Sequence, residues 1–104
     1  MDTAVARLAA DTLLLDVRGL TLIADYFVIC TGSSERQVNA IVESILETLK
    51  EQGVRALRAE GSSSSGWMLL DYSDVIVHVM TPGVRELYDL EGLWKGAKTV
   101  IRIE

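Results

Sequence analysis

The chain predicts an α/β fold: a mixed five-stranded sheet with helices packed on it. Three observations carry this. Short runs rich in β-branched and aromatic residues, notably Tyr26–Thr31 and Val75–Met80, have the length and composition of buried strands. Val38, Ile41, Val42, Ile45, Leu46 and Leu49 recur at steps of three and four, which puts them on one helical face. Strand-like and helix-like segments alternate and are separated by Gly, Ser and Pro, the pattern of helices laid on a sheet. At 104 residues the chain suits one domain, with neither an internal repeat nor a second core.

The elements are expected in this order. Residues 2–10 form a short helix with Val5, Leu8 and Ala9 on one side, and residues 12–17 a first strand closed by Arg18-Gly19. Residues 21–24 make either a connecting turn or a single helical turn before the strand Tyr26–Thr31. Gly32-Ser33-Ser34 then leads into the long helix. There Ser34 and Gln37 fit a capping box, in which each side chain satisfies a free backbone N–H. Gly53 fits the left-handed position after the helix end. A third strand is expected over 54–60, reached from Tyr26–Thr31 by a right-handed crossover. The run 61–66, Gly-Ser-Ser-Ser-Ser-Gly, reads as a flexible loop without structure of its own. Trp67–Asp71 and Val75–Met80 are the fourth and fifth strands, joined through Tyr72-Ser73. Thr81 and Pro82 mark the cap and first turn of another helix carrying Val84, Leu87 and Tyr88. Residues 91–94 form a short tail element, and 99–103 are either a final edge strand or disordered.

Composition narrows the function. Asp and Glu outnumber Lys and Arg 15 to 10, for a net charge of −5, with no basic block. Binding nucleic acid directly calls for a basic footprint against the phosphates. An acidic chain is better matched to a basic protein partner, since opposite fields speed encounter and orient docking. The longest apolar runs, such as Leu13-Leu14-Leu15, fall far short of a membrane span, and the first residues lack the basic start and apolar stretch of a signal peptide. Cytoplasm is the expected location. The one cysteine, Cys30, has no internal disulfide partner. It reads as structural, because no basic residue lies beside it in sequence to lower its pKa.

The polar residues in the last hairpin need a separate explanation. Alternation puts Trp67, Leu69 and Asp71 on one face and Met68 and Leu70 on the other. In the next strand Asp74, Ile76, His78 and Met80 share a face opposite Val75, Val77 and Val79. Asp71 and Asp74 are most simply turn residues that cap through their own side chains. A second role is to face basic groups on a partner. His78 has no metal-ligand spacing around it, and its shared face with Asp74 permits a fixed tautomer. Trp67 follows a serine run, and position alone favours core packing over surface anchoring by a small margin. Tyr88, Leu90, Leu93 and Trp94 divide between core and surface in a way the sequence leaves open.

Several blocks in order resemble a known family. They are Ala24-Asp25-Tyr26-Phe27-Val28-Ile29-Cys30-Thr31-Gly32-Ser33-Ser34, Gln37, Glu60-Gly61, Gly66-Trp67, Leu70-Asp71-Tyr72, Asp74-Val75 and Val77-His78-Val79. Arg85, Leu87-Tyr88-Asp89-Leu90-Glu91 and Leu93-Trp94 complete the set. Together they are similar to the ribosomal silencing factor, or Iojap-like, family over residues 12–94. The resemblance implies a nucleotidyltransferase-like fold and a non-enzymatic translational repressor without cofactor. It implies binding to the large ribosomal subunit through protein uL14, little direct contact with nucleic acid, and steric obstruction of small-subunit joining. Organelle members assist large-subunit assembly, and homodimers occur in the family.

On this resemblance the expected partner-binding residues are Trp67, Met68, Leu69, Leu70, Asp71, Tyr72, Asp74 and His78, with Trp67 as the anchor. Two departures stand out. The family commonly has glycine where this chain has Ser73, and its N-terminal region often runs longer. The competing reading is a metal-dependent nucleotidyltransferase using Ser33, Asp71 and Asp74. A Gly-Ser turn alone is a weak phosphate signal, and two acids separated by Tyr72-Ser73 span a turn instead of sharing a strand face. A homodimer using Trp67 or Trp94 is a third possibility, open to mass measurement.

Overall fold

The computed structural model describes residues 10–103. The helix expected over residues 2–10 lies outside that range except for Ala10, which begins a strand. Among the described residues six strands form one sheet: β1 (Ala10–Asp16), β2 (Tyr26–Thr31), β3 (Arg58–Ser62), β4 (Trp67–Asp71), β5 (Val75–Met80) and β6 (Lys98–Ile103). The helices are α1 (Glu35–Glu51), α2 (Pro82–Tyr88) and the single-turn α3 (Leu90–Leu93). The sheet order is β3-β4-β5-β2-β1-β6, parallel at the central β2·β5 pair and antiparallel elsewhere. The sheet therefore has six strands where five were expected. The sixth is β6, whose backbone pairs along β1 at the edge.

Each face of the sheet has its own core. On one side α1 lays Val38, Ile41, Val42 and Ile45 against Val28, Cys30, Leu70, Val77 and Val79. Its start is fixed as the sequence implies. Ser34 Oγ accepts from the Gln37 N–H at 3.1 Å, while Gln37 Oε1 accepts from the Ser33 N–H at 2.8 Å. Gly53 follows the helix with φ +82. On the other side Leu13, Leu15, Phe27, Ile29, Ile76, Met80 and Leu90 form a second cluster. The centre of that face is buried, Trp67 and Leu69 of β4 are only half-buried, and on the short helices Leu87, at 75% exposure, and Leu93 lie open to solvent. The αβ connection from β2 through α1 reaches the far edge at β3, skipping the positions held by β5 and β4.

Two local expectations are corrected. The third strand begins at Arg58 and not at residue 54. Val54 and Leu57 are apolar, yet they are 44% and 71% exposed, and the Leu57 N–H donates to the Asp71 carbonyl at 2.7 Å ahead of the strand. The serine run is also ordered. Ser62 closes β3, Ser63–Ser65 form a 3-10 turn, and Ser65 Oγ donates to the Ser62 carbonyl at 2.7 Å. Hydroxyls substitute here for the backbone partners that the turn lacks.

Candidate docking surface

The β4–β5 hairpin carries the candidate site, and register determines who meets whom. Trp67 pairs with Met80, Leu69 with His78 and Asp71 with Ile76. These six side chains share the face partly roofed by α2 and α3. Gly66 makes the entry into β4 possible. It has φ +78, and a Cβ there would lie 2.8 Å from both Thr81 Oγ1 and Val84 Cγ2. The Thr81 N–H also donates to the Gly66 carbonyl at 2.8 Å, tying the start of α2 to the residue before the tryptophan.

Trp67 is half-buried. One side of its ring meets Tyr88 of α2, with centroids 5.0 Å apart and planes at 48°. Its indole Nε1–H donates to His78 Nδ1 at 3.2 Å. Trp67, Leu69, Val84 and Tyr88 line an open groove of about 370 Å³, with Glu60 and Ser65 at its polar rim. Tyr88 is 53% exposed, so an aromatic pair borders the groove with one member in solvent. This also divides the residues that sequence left open. Leu90 is core, Trp94 packs edge-on against Phe27 with centroids 5.2 Å apart, and Tyr88 and Leu93 are on the surface.

The structure does not bring all eight expected contact residues to one surface. Trp67, Leu69 and Asp71 share a face. Met68 and Tyr72 pack instead against the α1 core, and Leu70 is 0% exposed beneath it. Leu70 is corrected from contact residue to core residue, because strand alternation turns it under the long helix. His78, at 6% exposure, is also interior and touches the surface only through Trp67. Burial pushes its imidazole down to about 4 from 6.5, so the ring is neutral at physiological pH. The tautomer is fixed by Trp67 and not by Asp74.

The two acids divide their work. Asp71 Oδ1 accepts from the Ser73 N–H at 2.8 Å, the expected capping role, while Oδ2 lies 3.2 Å from Arg58 Nε. Asp74 is exposed, and its carbonyl accepts from the N–H groups of Asp25 and Tyr26 at 2.8 and 3.0 Å, joining the hairpin tip to the start of β2. Between them Ser73 has φ +74, and the Asp74 N–H returns to the Tyr72 carbonyl at 3.0 Å. That is a tight turn in the left-handed region, where glycine is the unstrained residue.

A further residue carries structure that sequence reading passed over except as part of the family blocks. Arg85 of α2 is buried, donating from Nε to Glu91 Oε1 at 2.8 Å and from Nη1 to Thr31 Oγ1 at 2.7 Å. It ties α2 to the end of β2 and to α3, and so holds the helix that presents Tyr88. Cys30 is inert: burial pushes its thiol up to about 12. Among the described residues no group of three His, Cys, Asp or Glu side chains is placed to hold a metal ion. Among them also no helix is long and apolar enough to cross a membrane.

The family model for a ribosomal silencing factor during starvation matches residues 1–104. The chain belongs to the ribosomal silencing factor family. A ribosomal silencing factor of Halalkalibacterium halodurans is 44% identical over 92 residues, covering 88% of this chain and 79% of that one. A mouse relative named for mitochondrial assembly of the ribosomal large subunit is 36% identical over 73 residues, 67% of this chain and 32% of its own. The fold agrees with a crystal structure of a Chromobacterium violaceum protein, at TM-score 0.85 and 40% identity, covering 95% of this chain and 85% of that one.

Proposed function

We propose that this chain is a non-enzymatic cytoplasmic repressor of translation. It docks the Trp67 face on protein uL14 of the large ribosomal subunit and obstructs joining of the small subunit by occupying its space. The observation that carries this is the open groove walled by Trp67, Leu69, Val84 and Tyr88 on a face that its own helices only partly cover. A half-buried tryptophan beside an exposed tyrosine is the composition of an interface anchor, because burying it excludes much water and immobilises few torsions. Glu60 at the rim and the net charge of −5 favour a basic protein over phosphate backbone. Family membership supplies the ribosome as the partner. A role in large-subunit assembly is compatible with the same docking face. The nucleotidyltransferase reading gains no support from the geometry, since Asp71 is already engaged by Ser73 and Arg58.

The test has two stages. Wild-type protein and the Trp67→Ala, Asp71→Ala double variant are sedimented with separated large subunits, and both are added to a subunit-joining assay read by light scattering. Docking through this face predicts that wild type co-sediments and slows joining, while the folded double variant does neither. Loss of a central anchor of this type weakens binding by about 2 kcal/mol or more. A folded double variant that co-sediments like wild type would remove this face from the mechanism.

A further inference from the structure

We infer that His78 is a positioning residue for docking: its Nδ1 accepts the indole N–H of Trp67 and sets the anchor's orientation before a partner arrives. The inference rests on the docking reading above and goes beyond it to what holds the anchor ready. His78 stands on β5 opposite Leu69, two register positions from the Trp67–Met80 pair and on the same face. Its ring is buried, edge-on to Phe27 with centroids 5.2 Å apart at 76°, and tilted against Trp67 at 5.9 Å. An indole N–H only donates, so a nitrogen that accepts from it must carry no proton. The neutral ring's proton is therefore on Nε2.

That nitrogen is buried and has no hydrogen-bond partner among the described residues. A buried donor without an acceptor weakens the fold. If the position served packing alone, Leu or Phe would fill it without that penalty. What the histidine provides in exchange is the Nδ1 acceptor. Trp67 is held from two sides, by this hydrogen bond and by the Tyr88 ring, while Gly66 sets the backbone behind it. An anchor already fixed in its bound orientation spares the complex the entropy of immobilising it.

The test compares His78→Leu, His78→Asn and Trp67→Ala. Asparagine keeps an acceptor oxygen where Nδ1 stands, and leucine keeps only apolar bulk. Three readouts are taken: the thermal melt, the affinity for purified bacterial large subunits by sedimentation, and the Trp67 indole N–H resonance with its rate of exchange. We expect His78→Leu to melt cooperatively yet bind roughly five- to tenfold more weakly, the cost of ordering one large side chain on docking. Its indole proton should move upfield and exchange faster. His78→Asn should restore affinity to within about twofold of wild type and return the resonance toward its original position. A folded His78→Leu that binds like wild type while Trp67→Ala does not would overturn the inference. So would a His78→Asn as weak as His78→Leu. Wild-type binding by Trp67→Ala would instead remove the docking face itself, and the indole resonance would still report whether His78 holds the ring.

Discussion

Acid should weaken this fold through His78 in a defined window, and replacing that histidine by asparagine should remove the effect. The imidazole titrates at about 4 in the folded chain, pushed down by burial, against 6.5 when exposed. Above about pH 6.5 the ring is neutral in both states and contributes no pH dependence. Below that the unfolded chain takes up a proton that the folded chain refuses, so stability falls as pH falls, until the folded form also protonates near 4. Each pH unit inside the window is worth about 1.4 kcal/mol, so the full loss is about 3 kcal/mol and the loss at about pH 5 is about 2 kcal/mol. Against a typical stability of about 5–15 kcal/mol this is large. The assay is urea denaturation of wild type and His78→Asn at a series of pH values. Carboxylates common to both proteins cancel in the difference. The variant should gain about 2 kcal/mol on wild type between about pH 7 and about pH 5. Two stability curves that stay parallel through the window would refute the buried, neutral assignment.

Two further outcomes follow from the hairpin. Ser73→Gly relieves a left-handed φ of +74 and should raise stability by about 0.5–1 kcal/mol in a thermal melt; a lower melting point would mean that the serine side chain contributes something the strain argument omits. Leu70→Ala should cost about 2–5 kcal/mol of folding stability by opening a cavity under α1, while large-subunit affinity of the remaining folded protein stays unchanged. A selective loss of binding without loss of stability would return Leu70 to the contact surface.

Much of the architecture is readable in the chain because period and burial agree. The α1 stripe, its Ser34 cap and Gly53 stop, and the strands β2, β4 and β5 all satisfy local and tertiary demands together. The misses occur where those demands separate. Val54 and Leu57 are apolar but lie exposed, and β3 takes its place from pairing with β4 through the serine turn. The β6 edge was undecidable because its partner, β1, is more than eighty residues earlier, a separation that no local pattern reports.

The site was legible to the same degree. Alternation correctly placed Trp67, Leu69 and Asp71 on one face and His78 on the matching face of β5. It also sent Met68 and Leu70 to the opposite face, so their inclusion in the contact patch followed the resemblance, which implies the strand as a whole, and not the strand geometry. The bond from Trp67 to His78 depends on cross-strand register, which sequence periodicity leaves undetermined. Arg85 gave no periodic signal at all. A buried arginine is identified by its partners Glu91 and Thr31, and the latter lies 54 residues away.

The docking surface is tested most directly by replacing Tyr88, on the groove's open side, with a photoreactive phenylalanine derivative and irradiating the complex with intact large subunits. The predicted product is a covalent adduct to uL14, lost when Trp67 is also changed to alanine. Adducts confined to ribosomal RNA or to other proteins, unaffected by the alanine, would contradict the surface assigned here.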